Sequence, residues 1–172
     1  QGVIFSIRYH ENLQRLCSVS DDRSIRMWQL SFLNGTLKEP GPEDWRCVKS
    51  DLLLMLYGHS ARVWDVVLTT NYFASVGEDA ICCIWNYAGN ILHKFKGHKG
   101  RNIWGLATSE NEKFVLTGGG DGSIRMWEIH QEKTNKTVQR IVTVPQSHIP
   151  NPDYFPRIVK MLNFDLILIM MN

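Results

Sequence analysis

The chain has 172 residues, of which 44% are hydrophobic and 21% charged, with a formal net charge of +2. That balance belongs to a folded globular chain and excludes intrinsic disorder. A surplus of two positive charges is too small to argue for nucleic acid on charge alone, and no apolar run is long enough to cross a membrane as a helix.

In chain order, the first predicted strand is the apolar stretch Val3-Ile4-Phe5-Ser6-Ile7. After it come Ser18 and the segment Ser20-Asp21-Asp22-Arg23-Ser24-Ile25-Arg26-Met27-Trp28. Residues 31–51 then read as a surface insertion, because Asn34-Gly35 and Pro40-Gly41-Pro42 are turn-forming pairs. A second unit opens on Gly58-His59. Its predicted strands are 63–68, 72–76, 81–87 and, after the Ala88-Gly89-Asn90 turn, 91–95. Ser75, Asp79 and Trp85 lie along it. A third unit opens on Gly97-His98, with predicted strands 103–108, 114–117, 123–129 and 138–144, and it carries Thr117, Asp121 and Trp127. Trp127 follows Trp85 by 42 positions, and Ser-Ile-Arg-Met-Trp recurs unchanged at 24–28 and 123–127.

A period of roughly 40–45 residues, four short strands per unit and a turn aspartate at a constant distance before a strand tryptophan specify repeated β-sheets. The residues resemble the WD-repeat family, whose Gly-His opening, turn Asp and closing Trp stand here as Gly58-His59, Asp79 and Trp85, and as Gly97-His98, Asp121 and Trp127. The usual Trp-Asp ending reads Trp28-Gln29, Trp85-Asn86 and Trp127-Glu128. The expected fold is all-β, a partial propeller of about three four-stranded blades. Residues 1–57 are the first blade, 58–96 the second, 97–146 the third, and 147–172 a linker with either the start of a further blade or a foreign tail. A propeller closes with about 4–8 blades, so the chain is expected to be a piece of a longer protein, with a Gly-His pair just before Gln1.

The same resemblance implies a hydrogen-bonded relay in each blade: His59, Asp79, Ser75 and Trp85 in the second, His98, Asp121, Thr117 and Trp127 in the third, and Ser18, Asp22 and Trp28 in the first. A protease-like triad of His59, Asp79 and Ser75 is the competing reading. Recurrence of the same trio in the next unit argues for structure, since a catalytic centre occurs once. Gly118-Gly119-Gly120 lacks the Lys-Ser/Thr of a phosphate loop and reads as a tight turn before Asp121 in which glycine supplies positive φ. Cys82 and Cys83 are adjacent in a strand, so they point to opposite faces and do not bridge. No metal site, no cofactor and no enzymatic activity are expected.

Three segments are more specific than the repeat: 62–66, 97–104 and 150–156. They resemble the WD-repeat partner subunits of FtsJ-like tRNA 2′-O-methyltransferases. That resemblance implies a cytoplasmic, non-catalytic scaffold that binds tRNA and a separate methyltransferase chain and supports 2′-O-methylation of the wobble nucleotide. Neither membrane nor DNA is an expected partner. Arg62, Lys99 and Arg101 sit before the inner strands at one mouth of the ring and are the candidate RNA contacts. An aromatic recurs in each inner strand, Phe5, Trp64 and Trp104. Packing between blades is the stronger reading and base stacking the alternative. The other function class is a general protein-interaction scaffold, which would show no steep salt dependence toward RNA.

Overall fold

The computed structural model describes residues 2–32, 46–100 and 102–129, together with the backbone of strands at 139–142, 156–163 and 166–171. The described elements are strands, arranged as three four-stranded antiparallel sheets and one hairpin. The first sheet is β1 (Ile4–His10), β2 (Arg15–Ser20), β3 (Ser24–Ser31) and β4 (Lys49–Tyr57). The second is β5 (Val63–Leu68), β6 (Phe73–Gly77), β7 (Ile81–Trp85) and β8 (Ile91–Lys96), and the third is β9 (Ile103–Thr108), β10 (Phe114–Gly119), β11 (Ile124–Glu128) and β12 (Gln139–Val142). Each sheet runs in sequence order, and short turns join its first three antiparallel strands. These sheets are the three four-stranded blades expected of a partial propeller. Of the inserted stretch, residues 33–45 lie outside the described residues, while 49–51 already belong to β4.

The blades stack in chain order. β5 packs against β1 and β2, and β9 packs against β5 and β6. β13 (Pro156–Asn163) pairs with β14 (Leu166–Met171), and β13 lies against β9 and β10.

Two apolar layers hold the stack together. Between the first two blades, Cys17, Val19, Ile25 and Met27 meet Phe73, Cys83 and Trp85. Between the second and third, Ala74, Val76, Cys82, Ile84 and Phe95 meet Val115 and Trp127. A middle strand buried on both faces reads as a continuous apolar run, which is why Ile81-Cys82-Cys83-Ile84-Trp85 shows no polar alternation. Period two sends Cys82 into one layer and Cys83 into the other. The large rings lie flat in these layers: Phe73 stacks on Trp85 at 5.8 Å, and Phe95 on Trp127 at 4.7 Å. Burying one such side chain stabilises by roughly 2–3 kcal/mol, so the two layers are a major source of cohesion between blades.

Each innermost strand carries a register shift at the same place. The pairing skips Phe5 in β1, Trp64 in β5 and Trp104 in β9. A bulge turns the extra residue out of the ladder. The three rings meet as an arc: Phe5 to Trp64 at 4.5 Å, Trp64 to Trp104 at 4.8 Å. These aromatics therefore pack from blade to blade.

Candidate functional site

In the second blade a chain of hydrogen bonds runs from the turn to the sheet. The Trp85 indole N–H donates to Ser75 Oγ at 2.9 Å. Ser75 Oγ lies 2.8 Å from His59 Nε2, and His59 Nδ1 lies 3.0 Å from Asp79 Oδ1. The ionised Asp79 carboxylate can only accept, so Nδ1 carries the imidazole proton and donates it; Nε2 is then the acceptor for the Ser75 hydroxyl, whose oxygen accepts from the indole. Asp79 also accepts from the backbone N–H groups of Ser60 and Ile81, which pins the turn. The third blade repeats the arrangement: Trp127 to Thr117 Oγ1 at 2.9 Å, Thr117 to His98 Nε2 at 2.8 Å, and His98 Nδ1 to Asp121 Oδ1 at 2.9 Å. Asp121 takes the backbone N–H groups of Lys99 and Ser123.

These groups are closed to substrate. The His59 and His98 side chains are 0% and 2% exposed, and Ser75 and Thr117 are 0% exposed. A hydroxyl that must attack a substrate has to reach it, so the relay is a scaffold element. Burial is the largest influence on His98 and favours the neutral ring; Asp121 pulls the other way, and the Arg125 charge adds to the depression. Burial also works against an ionised Asp121, yet hydrogen bonds from His98, Ser123 and Lys99 outweigh it and hold its pKa at about 2. The Asp79 carboxyl is likewise lowered, burial being overcome by the bonds from His59, Ser60 and Ile81.

The glycine run before Asp121 works differently from the sequence expectation. Gly118 and Gly119 are the last residues of β10, and the positive φ belongs to Gly122, at +71°. What Gly119 supplies is room. A Cβ there would stand 2.2 Å from His98 Nδ1 and 2.8 Å from Asp121 Oδ1. Gly77 has the same task in the second blade, where a Cβ would lie 2.6 Å from the Arg62 carbonyl and 3.2 Å from His59 Nδ1.

In the first blade, Ser18, Asp22 and Trp28 line one cleft of about 150 Å³ with Gly2, Ile4, Ser20, Ser24 and Arg26. Asp22 accepts from Ser24 and pairs with Arg26 at 3.1 Å. Its hydrogen bonds to Ser24 hold the Asp22 carboxyl below the usual range. Among the described residues no histidine enters this cleft.

At the mouth, Arg62 precedes β5 and Lys99 precedes β9; Arg101 lies outside the described residues. Arg62 is already engaged: its Nε lies 2.6 Å from Asp21 Oδ1 in the first blade and 4.0 Å from Glu78 Oε2 in the second. Its side chain remains 53% exposed. Lys99 is exposed. Sequence reasoning overlooked two polar links nearby. Asn102 stands where Arg62 stands one blade earlier, and its Oδ1 accepts from the Trp64 indole at 3.1 Å. Asp65, one residue after the bulge, reaches across to the first blade, where Ser6 donates to it at 2.7 Å and Arg8 pairs with it at 2.9 Å. Its burial raises the Asp65 carboxyl despite Arg8. The bulges were the missing signal, because the pairing that creates them is invisible in one strand alone. Lys94 and Lys96, exposed on β8, were also passed over.

The family model described as "WD domain, G-beta repeat" matches residues 1–29, 50–86 and 89–128. The chain belongs to the WD-repeat family. Within that family it is similar to proteins named "tRNA (34-2'-O)-methyltransferase regulator WDR6". The Mus musculus protein is 43% identical over 128 residues, 74% of this chain and 10% of the relative. The Homo sapiens protein is 41% identical over the same shares. The Drosophila melanogaster protein is 27% identical over 170 residues, 96% of this chain and 16% of the relative. The WD repeats described above thus span about a tenth of the length of the two mammalian relatives.

Proposed function

We propose that this WD-repeat chain is part of a non-catalytic scaffold that binds tRNA and an FtsJ-like methyltransferase partner, and so supports 2′-O-methylation of the tRNA wobble nucleotide. The observation that carries the reading is the 41–43% identity, running across 74% of the chain, to proteins named as regulators of such an enzyme. The chemistry of the blades is compatible with it. The recurring hydroxyl–imidazole–carboxylate groups are buried, which suits a frame and does not suit a reaction centre. Methyl transfer then belongs to the partner chain, which brings the S-adenosylmethionine. The basic groups at the mouth, Arg62, Lys99 and Arg101, are the proposed contacts to tRNA phosphates, which position an RNA without reading its sequence.

The experiment is reconstitution. The full-length protein is mixed with the methyltransferase and an unmodified tRNA, and 2′-O-methylation of nucleotide 34 is followed with each protein alone and together. Stimulation only by the pair, with co-purification of the two chains, is the expected result. Methylation that proceeds equally without this protein overturns the reading. Capture of protein ligands with no salt-dependent tRNA binding would favour a general protein-interaction scaffold instead.

A further inference from the structure

The loop basic residues do not exhaust the positive surface of this chain. From Ala80 to Ser109 there is no Asp or Glu, while Lys94, Lys96, Lys99 and Arg101 fall within eight consecutive residues. We infer that Lys94, Lys96 and Lys99 form a phosphate-binding strip that leads from the outermost strand of the second blade to the mouth at the third. The inference rests on the tRNA-scaffold reading and names the surface along which the RNA backbone runs.

Geometry and charge carry it together. Lys94 and Lys96 alternate along β8, opposite Cys83 and Ile81, so their side chains leave the same face of the sheet. At a rise of about 3.3 Å per residue they are spaced by about 7 Å. The Lys94 ammonium donates to the Gly58 carbonyl at 3.0 Å, which holds its charge in place beside the chain entering the second blade. Lys99 stands three residues beyond Lys96, and its backbone N–H is fixed by Asp121 at 2.8 Å. All three lysines are exposed.

No carboxylate among the described residues pairs with any of the three. The acids nearest in the fold are occupied. Asp79 and Asp121 are 4% and 11% exposed and accept from the histidines and the turn backbone, and Glu78 faces Arg62. Arg62 therefore sits in a neutralised neighbourhood, whereas the lysine strip keeps its field. Tyr57, whose carbonyl neighbour Gly58 holds Lys94, is 60% exposed. A run of cations, with an exposed aromatic one residue from the Gly58 anchor of Lys94, suits a nucleic-acid strand, which offers both phosphates and base faces, better than an acidic peptide.

The test is equilibrium binding of the full-length protein to an unmodified tRNA transcript between 50 and 300 mM salt, with polyglutamate as the second probe. The variants are the double Lys96→Gln/Lys99→Gln, the triple that adds Lys94→Gln, and the triple in which all three become Arg. The double leaves the Lys94–Gly58 bond intact, so it separates lost charge from lost structure. Each lost phosphate contact lowers the slope of log affinity against log salt by about 0.7–0.9. The Gln triple is expected to lose about 2–3 in slope and roughly a hundredfold in affinity at 0.1 M salt, the double about two-thirds of that slope, and the Arg triple almost nothing. A steep wild-type slope that survives in both Gln variants overturns the strip and leaves the tRNA reading standing. A wild type that binds tRNA without salt dependence overturns both. Variants that lose polyglutamate and keep tRNA make the strip an acidic-peptide surface and also overturn it.

Discussion

Replacing Gly119 by alanine tests whether close packing, and not turn geometry, is the reason for a glycine before the third-blade aspartate. The added Cβ would lie 2.2 Å from His98 Nδ1 and 2.8 Å from both His98 Cε1 and Asp121 Oδ1. The ring has no easy retreat, because Thr117 holds its other nitrogen at 2.8 Å and the side chain is 2% exposed. Overpacking a tight site costs about 1–3 kcal/mol, and each buried hydrogen bond displaced costs about 1 kcal/mol more. With the His98 bonds to Asp121 and Thr117 both disturbed, the loss is about 3–5 kcal/mol. Gly122→Ala is the control: its φ is +71° and a Cβ there meets nothing within 4 Å, so only the left-handed backbone is penalised, at about 1–2 kcal/mol. Urea unfolding followed by tryptophan fluorescence measures both, with an unchanged slope marking a pure stability effect. Equal midpoints for the two variants would refute the packing argument.

Acid should weaken the relay blades in two stages. His98 is held neutral in the fold, so its contribution is complete above about pH 6.5 and declines as the pH falls through that value. The lowered carboxyl of Asp121 contributes fully above about pH 4 and is lost toward pH 2, amounting to roughly 1–2 kcal/mol after solvent screening. Urea midpoints taken from pH 8 to pH 3 should fall in both windows in the wild type, and His98→Gln should remove the upper step. Thiol labelling of the native protein should modify Cys47, which is exposed, and spare Cys17 and Cys83, whose thiols burial pushes up to about 12. Rapid native labelling of either buried thiol would contradict the two-layer core. Asp65→Ala should cost about 1–3 kcal/mol by orphaning Ser6 and releasing Arg8, whereas the same change at exposed Asp51 should be near neutral, with thermal unfolding as the measure.

The strands were legible because their pattern is local. Continuous apolar runs bounded by turn residues placed β5 and β9 at 63–68 and 103–108, the bounds the structure has. The opposite fates of Cys82 and Cys83 follow from period two alone. The task of Gly119 was not legible, since nothing near it in sequence says that the imidazole of His98, 21 residues earlier, passes over its Cα. The engagement of Arg62 was hidden for the same reason: its carboxylate partner, Asp21, lies 41 positions upstream in a different blade.

By itself, then, the sequence determined the unit: four short strands, a turn aspartate, a closing tryptophan, and the repetition that makes these a frame. Backbone preference and apolar periodicity act over a few neighbouring residues, and one chain displays them in full. Only the tertiary structure decided which polar groups are occupied and which stay open. Stacking one blade on the next brought Arg62 to Asp21, Asp65 to Ser6 and Arg8, and Asn102 to Trp64, and it left Lys96 and Lys99 facing solvent. Hydrogen bonds and ion pairs act over a few ångströms of space, and distance along the chain carries no record of which groups will share that space.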